Sequence, residues 1–329
     1  MTLRDSHGRR FAYLRVSVTP RCNFRCVYCM PAEGVRLPPK HDLLTLDEIA
    51  RIVRVAAGLG FAKVRLTGGE PLARSGVVGL IRDIASTPGI GEVAMTTNAS
   101  LLPKQAAELK AAGLGRVNIS LDSLDRDAAA RLARRDVLPS ILAGIDAAIA
   151  AGLGPIKLNC VVLPGVNDGE LGDLVRYAAG RDLEIRFIEY MPMGSARLDA
   201  ANQTMTAEQM RRRLAADGVE LTRVRRGHAA DPAEAWLDVG TGARIGFITS
   251  MSQHFCEACD RMRLTAEGEL RPCLHQDAGV SVREQLRDGS DDDAIRNAFA
   301  DAASLKWAGH AMNNLVPLHV SREMVTIGG

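Results

Sequence analysis

Cys22, Cys26 and Cys29 stand in one short run, Arg21 to Pro31, with the spacing C-x3-C-x2-C. Three thiolates from one loop can hold three corners of a [4Fe–4S] cube, whose full protein ligand set is four cysteines. One iron is then left to bind something from outside the chain. An aromatic residue, Tyr28, precedes the third cysteine. Zinc is the alternative, but it prefers closed four-ligand sites. Its nearest fourth ligand here, His41, lies beyond a Pro-rich stretch. A disulfide with one spare thiol needs an oxidising compartment, to which nothing in the sequence points.

A second trio, Cys256, Cys259 and Cys273, has the spacing C-x2-C-x13-C. A Cys3His zinc site completed by His254 or His275 is one reading of it. The residues between favour a functional one. Arg261 and Arg263 alternate about Met262, so in an extended segment both guanidiniums point the same way, beside the metal. Such forks suit phosphate or the acceptor atoms of a purine. Of the seven cysteines only Cys160 stands apart, in the apolar run Leu158 to Leu163, where it reads as a small buried hydrophobe.

The elements that must position these groups alternate strand and helix. Phe11 to Val18 reads as a strand leading into the first cysteine loop. Thr45-Leu46-Asp47-Glu48 is a capping box, with Ile49, Ile52, Val53 and Ala56 following at helical spacing. Further strands are expected at 62–66, 92–95, 116–121, 156–163 and 183–190. Helices are expected at 77–85, 103–112, through to 151, and at 170–179. These are about six βα units, the pattern of a parallel sheet curling toward a barrel. Past Arg226 the pattern changes to Gly-punctuated short strands, so we expect a barrel over 1–225 and a C-terminal module over 226–329.

In such barrels functional side chains sit at the C-terminal ends of strands. The second strand ends in Thr67-Gly68-Gly69-Glu70-Pro71, where glycines let backbone approach closely. No Lys-Ser/Thr follows them, which excludes a P-loop, and the dinucleotide fingerprint fails too. Glu70 reads either as a ligand-contacting carboxylate beside the open iron or as a cap for the next helix. The third strand ends in Met95-Thr96-Thr97-Asn98. Period two puts Asn118, Ser120 and Asp122 on one face of the fourth strand, and Lys157 and Asn159 on one face of the fifth. The sixth carries Arg186 and ends at Glu189-Tyr190-Met191-Pro192. A buried cation is costly without an anion, so Arg15, Arg65 and Lys157 together suggest a polyanionic substrate.

Composition bounds the function. The chain has 329 residues, 47% hydrophobic and 24% charged, as in an ordinary globular enzyme. A formal charge of +2 argues against non-specific nucleic-acid binding. The clusters Arg211-Arg212-Arg213 and Arg223-Val224-Arg225-Arg226 read as solvated faces. No apolar run of membrane-spanning length and no signal-peptide core appear. A cytoplasmic location is therefore expected.

The runs CNFRCVYCMP, LTGGEPL and FCEACDRMRLTAEGELRPCL, together with the terminal Ile327-Gly328-Gly329, resemble the GTP 3′,8-cyclases over essentially the whole chain. These are radical S-adenosylmethionine (SAM) enzymes that open molybdenum-cofactor biosynthesis. The resemblance implies an α/β fold, an incomplete (βα)6 TIM-like radical SAM barrel with a C-terminal module carrying a second cluster. It implies one [4Fe–4S] cluster on Cys22, Cys26 and Cys29 and a second on Cys256, Cys259 and Cys273. SAM would contact Tyr28, Gly69, Glu70, Ser120 and Met191. GTP would contact Arg15, Arg65, Thr96, Lys157, Arg261 and Arg263. A radical made from SAM would take hydrogen from C3′ of GTP, and the resulting centre would attack C8 of guanine. Implied partners are an electron donor such as flavodoxin or ferredoxin and a downstream cyclic pyranopterin monophosphate synthase; a homodimer is left open. Asp260 stands where that family usually has Asn, Ala99 where it has Gly, and the tail from Ser321 to Met324 departs from a basic, Pro-containing run. The rivals are a peptide-modifying radical SAM enzyme and a zinc-stabilised binding protein.

Overall fold

The computed structural model describes residues 2–194, 204–225, 227–253, 255–309 and 322–328. Arg226, His254, Ser321 and Gly329, all used above, lie outside the described residues. Six strands follow the expected spans: β1 Tyr13–Ser17, β2 Lys63–Thr67, β3 Glu92–Thr97, β4 Arg116–Ser120, β5 Lys157–Val162 and β6 Glu184–Glu189. Between them run α1 Leu46–Gly58, α2 Val77–Ala85, α3 Ala106–Ala111, α4 Arg126–Ala133, α5 Leu138–Ala150 and α6 Leu171–Ala179.

Local chemistry explains the boundaries. The capping box at Thr45 forms in both directions: the Thr45 hydroxyl accepts from the Glu48 N–H at 3.1 Å, and the Glu48 carboxylate from the Thr45 N–H at 2.7 Å. Ile49, Ile52, Val53 and Ala56 of α1 are buried. The helix expected over 103–112 is interrupted. A 3₁₀ turn spans Leu102–Lys104, and Gln105 at φ −130 separates it from α3. The Gln105 side chain donates to the Leu72 carbonyl at 3.3 Å, which holds it out of the helical path. The helical stretch before Ala151 is two helices, because Arg134 at φ +52 ends α4.

After β6 come α7 Ala207–Ala216, β7 Leu221–Arg223, β8 Ala233–Asp238, β9 Arg244–Ile248, β10 Arg261–Leu264, β11 Glu269–Arg271, β12 Val280–Ser281, α8 Arg283–Arg287 and α9 Asp292–Ser304. Among the described residues one sheet holds all twelve strands, in the order β12-β11-β10-β1-β2-β3-β4-β5-β6-β9-β8-β7. β10 joins β1 in parallel and β9 joins β6 in parallel, so the six-stranded barrel gains a parallel strand at each edge. The expected division at residue 225 falls between β7 and β8, which pair antiparallel. The apolar cluster from β1 to α9 is continuous, and Phe61 links Phe11 of the barrel to Phe299 of α9.

Candidate active site

A cavity of about 860 Å³ is lined by residues of the parallel strands and by both cysteine trios. Cys22, Cys26 and Cys29 follow β1, so they sit at the C-terminal mouth of the parallel strands. Cys256 and Cys259 precede β10, and Cys273 follows β11, which runs antiparallel to it. The second trio is therefore at the N-terminal mouth.

Between the mouths lies a rung of guanidiniums. The sheet register aligns Arg263 of β10 with Arg15 of β1, and Arg15 with Arg65 of β2. All three line the cavity. Arg65 donates to the Tyr13 hydroxyl, to the Met95 carbonyl at 3.0 Å and to the Thr96 hydroxyl at 3.4 Å. Arg15 and Arg263 converge on the Gly328 carbonyl, at 3.2 and 2.6 Å. Burial, with the neighbouring cations, brings Arg15 down to about 10 and Arg263 well below its ordinary value. Burial raises Tyr13, but Arg65, Arg15 and Lys63 outweigh it and carry the hydroxyl down to about 8. One level along, Arg261 stacks over Phe255 at 5.0 Å and donates to the Ala230 carbonyl at 2.7 Å. Three aligned guanidiniums repel each other in a poorly solvated space, which an anionic ligand would relieve.

The sequence pattern groups Lys157 with these cations as one needing an external anion. The structure corrects that reasoning. Its ammonium lies 3.0 Å from Glu184 and 3.9 Å from Asp231, while Arg186 pairs with the same two carboxylates. Lys157 still lines the cavity, but as part of a neutralised four-charge cluster.

The first trio has different surroundings. Burial raises all three thiols, Cys29 to about 12, and the other cysteines and Asp122 add to the rise in Cys26 and Cys29. Thiols held this far toward the neutral form become thiolates only beside a strong cation, which a metal centre provides. All three face the cavity and none is in a disulfide, so the donor set fits an iron–sulfur cluster. Among the described residues, no three His, Cys, Asp or Glu side chains approach closely enough to hold a single metal ion.

Ser120, Gly69, Tyr28 and Met191 all line the cavity. Tyr28 donates to Asp122 at 2.5 Å, and burial raises Asp122 to about 6. Gly68 and Gly69 do permit a close approach, but to the chain itself. A Cβ on Gly69 would lie 2.3 Å from the Arg21 carbonyl, and one on Gly68 2.4 Å from that of Thr19. The glycines thus seat the first cysteine loop against β2.

Glu70 departs from the ligand-contacting expectation. It is fully buried and is not among the residues lining the cavity. One oxygen accepts from the Leu72 N–H at 3.0 Å and the Thr97 hydroxyl at 2.7 Å, the other from the Asn98 N–H at 2.8 Å. Burial pushes its carboxyl up to about 7. Its role is to cap the turn and fix Asn98, whose side chain reaches the Cys22 sulfur at 3.9 Å.

The first part of the chain, residues 16–178, matches the model of the radical SAM superfamily, and residues 183–312 match that of Molybdenum Cofactor Synthesis C. A GTP 3′,8-cyclase of Moorella thermoacetica is 46% identical over 99% of this chain and 100% of its own. Those of Hydrogenovibrio crunogenus and Streptomyces coelicolor are each 43% identical, over 100% and 99% of this chain and 100% and 96% of theirs. The chain belongs to the GTP 3′,8-cyclase family. Among solved structures, Streptococcus suis SuiB superposes with a TM-score of 0.62 at 17% identity, covering 88% of this chain and 68% of that one. That likeness shows the radical SAM fold alone.

Sequence reasoning missed Asp231, Glu184 and Lys306. The first two carried no signal, since acids near a strand start are ordinarily solvated. Lys306 follows a polar helix and looks like a surface residue, yet it is 4% exposed. Tyr13 was legible in principle, because it shares a strand face with Arg15.

Proposed function

We propose that this protein converts GTP to (8S)-3′,8-cyclo-7,8-dihydroguanosine 5′-triphosphate, the first step of molybdenum-cofactor biosynthesis. The observation that carries the reading is the single cavity with a cysteine trio at each mouth and the Arg263–Arg15–Arg65 rung between them. Residues 1–225 act as the barrel and 226–329 as the module that brings the second trio, Arg261 and Arg263 to it. When bound, a cluster on Cys22, Cys26 and Cys29 and its SAM supply a carbon-centred radical by one-electron cleavage.

The chain's own residues do the rest. Arg15, Arg65 and Arg263, with Arg261 and Lys157, hold the anionic nucleotide along the cavity and fix its ribose toward the first mouth. The Thr96 hydroxyl stays tied to Arg65 and orients that guanidinium. Tyr28, Gly69, Ser120 and Met191 form the wall against which SAM is held, and the surrounding walls keep water from the reacting atoms. Cys256, Cys259 and Cys273 would hold a second [4Fe–4S] cluster at the other mouth of the same cavity.

Electrons come from a small donor such as flavodoxin or ferredoxin, and the product passes to cyclic pyranopterin monophosphate synthase in the cytoplasm. Among the described residues no helix is long and apolar enough to cross a membrane. The test is anaerobic purification with iron and sulfide analysis, followed by SAM cleavage with and without GTP. Cleavage coupled to GTP consumption is expected. A colourless zinc protein, or cleavage indifferent to GTP, would overturn the reading.

A further inference from the structure

Lys306, just past α9, is a buried lysine that spends its whole hydrogen-bonding capacity on the second cysteine trio's Cys259 and on backbone beside that trio. Its ammonium donates to the Arg261 carbonyl at 2.7 Å, to the Pro272 carbonyl at 2.8 Å and to the Cys259 sulfur at 3.5 Å. An ammonium has three N–H bonds, so none remains. The two carbonyls belong to different stretches of chain: Arg261 lies two residues after Cys259, and Pro272 immediately precedes Cys273. No carboxylate lies within ion-pair distance of Lys306 among the described residues, and its nearest ring is Phe11 at 4.9 Å.

A second cation braces the same segment. Arg9, anchored on buried Asp5 at 2.6 Å, donates to the Cys256 carbonyl at 2.8 Å, the Ala308 carbonyl at 2.9 Å and the Trp307 carbonyl at 2.5 Å. Residues 306–308 are therefore tied to all three cysteine-bearing stretches. A buried ammonium whose other partners are neutral carbonyls is costly unless an anion stands beside it. The anion available is the sulfur of Cys259 as a metal-bound thiolate.

We infer that Lys306 is a positioning residue for the metal centre on Cys256, Cys259 and Cys273, and that its charge and its N–H bond to the Cys259 sulfur tune that centre. The inference rests on the reading of this trio as a second iron–sulfur site. Reduction adds negative charge to a cluster, and a nearby cation or a hydrogen bond to a ligand sulfur favours the reduced form. Lys306 thus raises the centre's reduction potential and slows loss of its iron.

The test uses the full chain with Cys22, Cys26 and Cys29 all replaced by Ala, so that only the second trio holds metal. The midpoint potential is read by EPR-monitored titration, and iron release is timed against a chelator. Lys306→Gln and Lys306→Met should both move the midpoint to more negative values and release iron several-fold faster. Lys306→Arg, which keeps the charge, should stay near the parent. Two neutral variants are used so that misfolding of one leaves the other to decide. Unchanged midpoint and release rate in an iron-loaded neutral variant would overturn the inference alone. A parent holding zinc or no iron would instead overturn the second-cluster reading, and the inference with it.

Discussion

The two cysteine trios face one cavity from opposite mouths, and their electrostatic settings are opposed. Burial pushes up the thiols of Cys22, Cys26 and Cys29, and Asp122 adds to the rise at Cys26 and Cys29, Glu323 at Cys29. At Cys259, burial also favours the neutral thiol, but Lys306 and Arg261 outweigh it and bring the thiol below its ordinary value. Net charge and hydrogen bonds at the sulfurs set a cluster's potential. A negative, apolar setting suits a strongly reducing centre, and a cationic one suits a centre that shares its space with an anionic substrate. The difference teaches how, on the function proposed above, the two trios would divide the work: one makes the radical and the other helps hold its target.

The largest expected effect breaks that division outright. Replacing Cys22, Cys26 and Cys29 together with Ala should abolish 5′-deoxyadenosine formation while leaving about half the iron, as read by iron analysis and product chromatography. Loss of all iron would mean that the trios are not independent.

Next comes the cationic side. Charge-assisted hydrogen bonds contribute ~1.5–3 kcal/mol each, so Arg263→Ala should weaken GTP about ten- to a hundredfold in anaerobic equilibrium binding at fixed salt. SAM affinity should stay put, since the wall proposed to hold SAM is at the other mouth. Equal loss of both ligands would erase the comparison.

Asp231 sharpens it by asking what the paired cations contribute. Burial raises its carboxyl, but Arg186 and Lys157 prevail and hold it at about 2 against an ordinary 3.8. A depressed carboxyl stabilises the fold fully above about pH 4, and that contribution is lost as pH falls through 2. Asp231→Asn should therefore be less stable than the wild type by about 1–2 kcal/mol at neutral pH. The gap, measured by urea unfolding, should shrink between pH 4 and pH 2. A pH-independent gap would assign the effect to packing instead.

The smallest effect concerns the support of the first trio. Ala99, next to Asn98, sits at φ +64, a left-handed conformation that costs a residue with a Cβ. Gly144 of α5 packs so closely on it that a Cβ there would lie 2.1 Å from the Ala99 carbonyl. Ala99→Gly should raise stability by about 0.5–1 kcal/mol in chemical denaturation, after the added entropy of the unfolded chain is counted. A loss would show that the Ala99 methyl packs usefully.

Much of this molecule was legible in the sequence because the signals are local. The spacing of Cys22, Cys26 and Cys29 allows one loop to present three thiolates, and period two put Asn118, Ser120 and Asp122 on the face that lines the cavity. The capping box at Thr45 formed as written, and α2 spans the expected residues. Glu70 shows the limit of such reading. Its sequence setting allowed both a ligand contact and a cap, and only the positions of Thr97 and Asn98, at the end of the next strand and just past it, decide for the cap.

By itself, then, the sequence determined the alternation of strands and helices, the two cysteine sets and the Arg-x-Arg fork, all of which depend on residues a few positions apart. Tertiary structure decided that β10 lies parallel to β1, which aligns Arg263 with Arg15 and Arg65 and sets the two trios at opposite mouths. It also decided that Lys157 meets Glu184 and Asp231, and that Lys306 is buried at Cys259. Each of these contacts joins residues tens to hundreds of positions apart. Whether a charge is solvated, paired or left to attract a ligand depends on what the fold brings beside it.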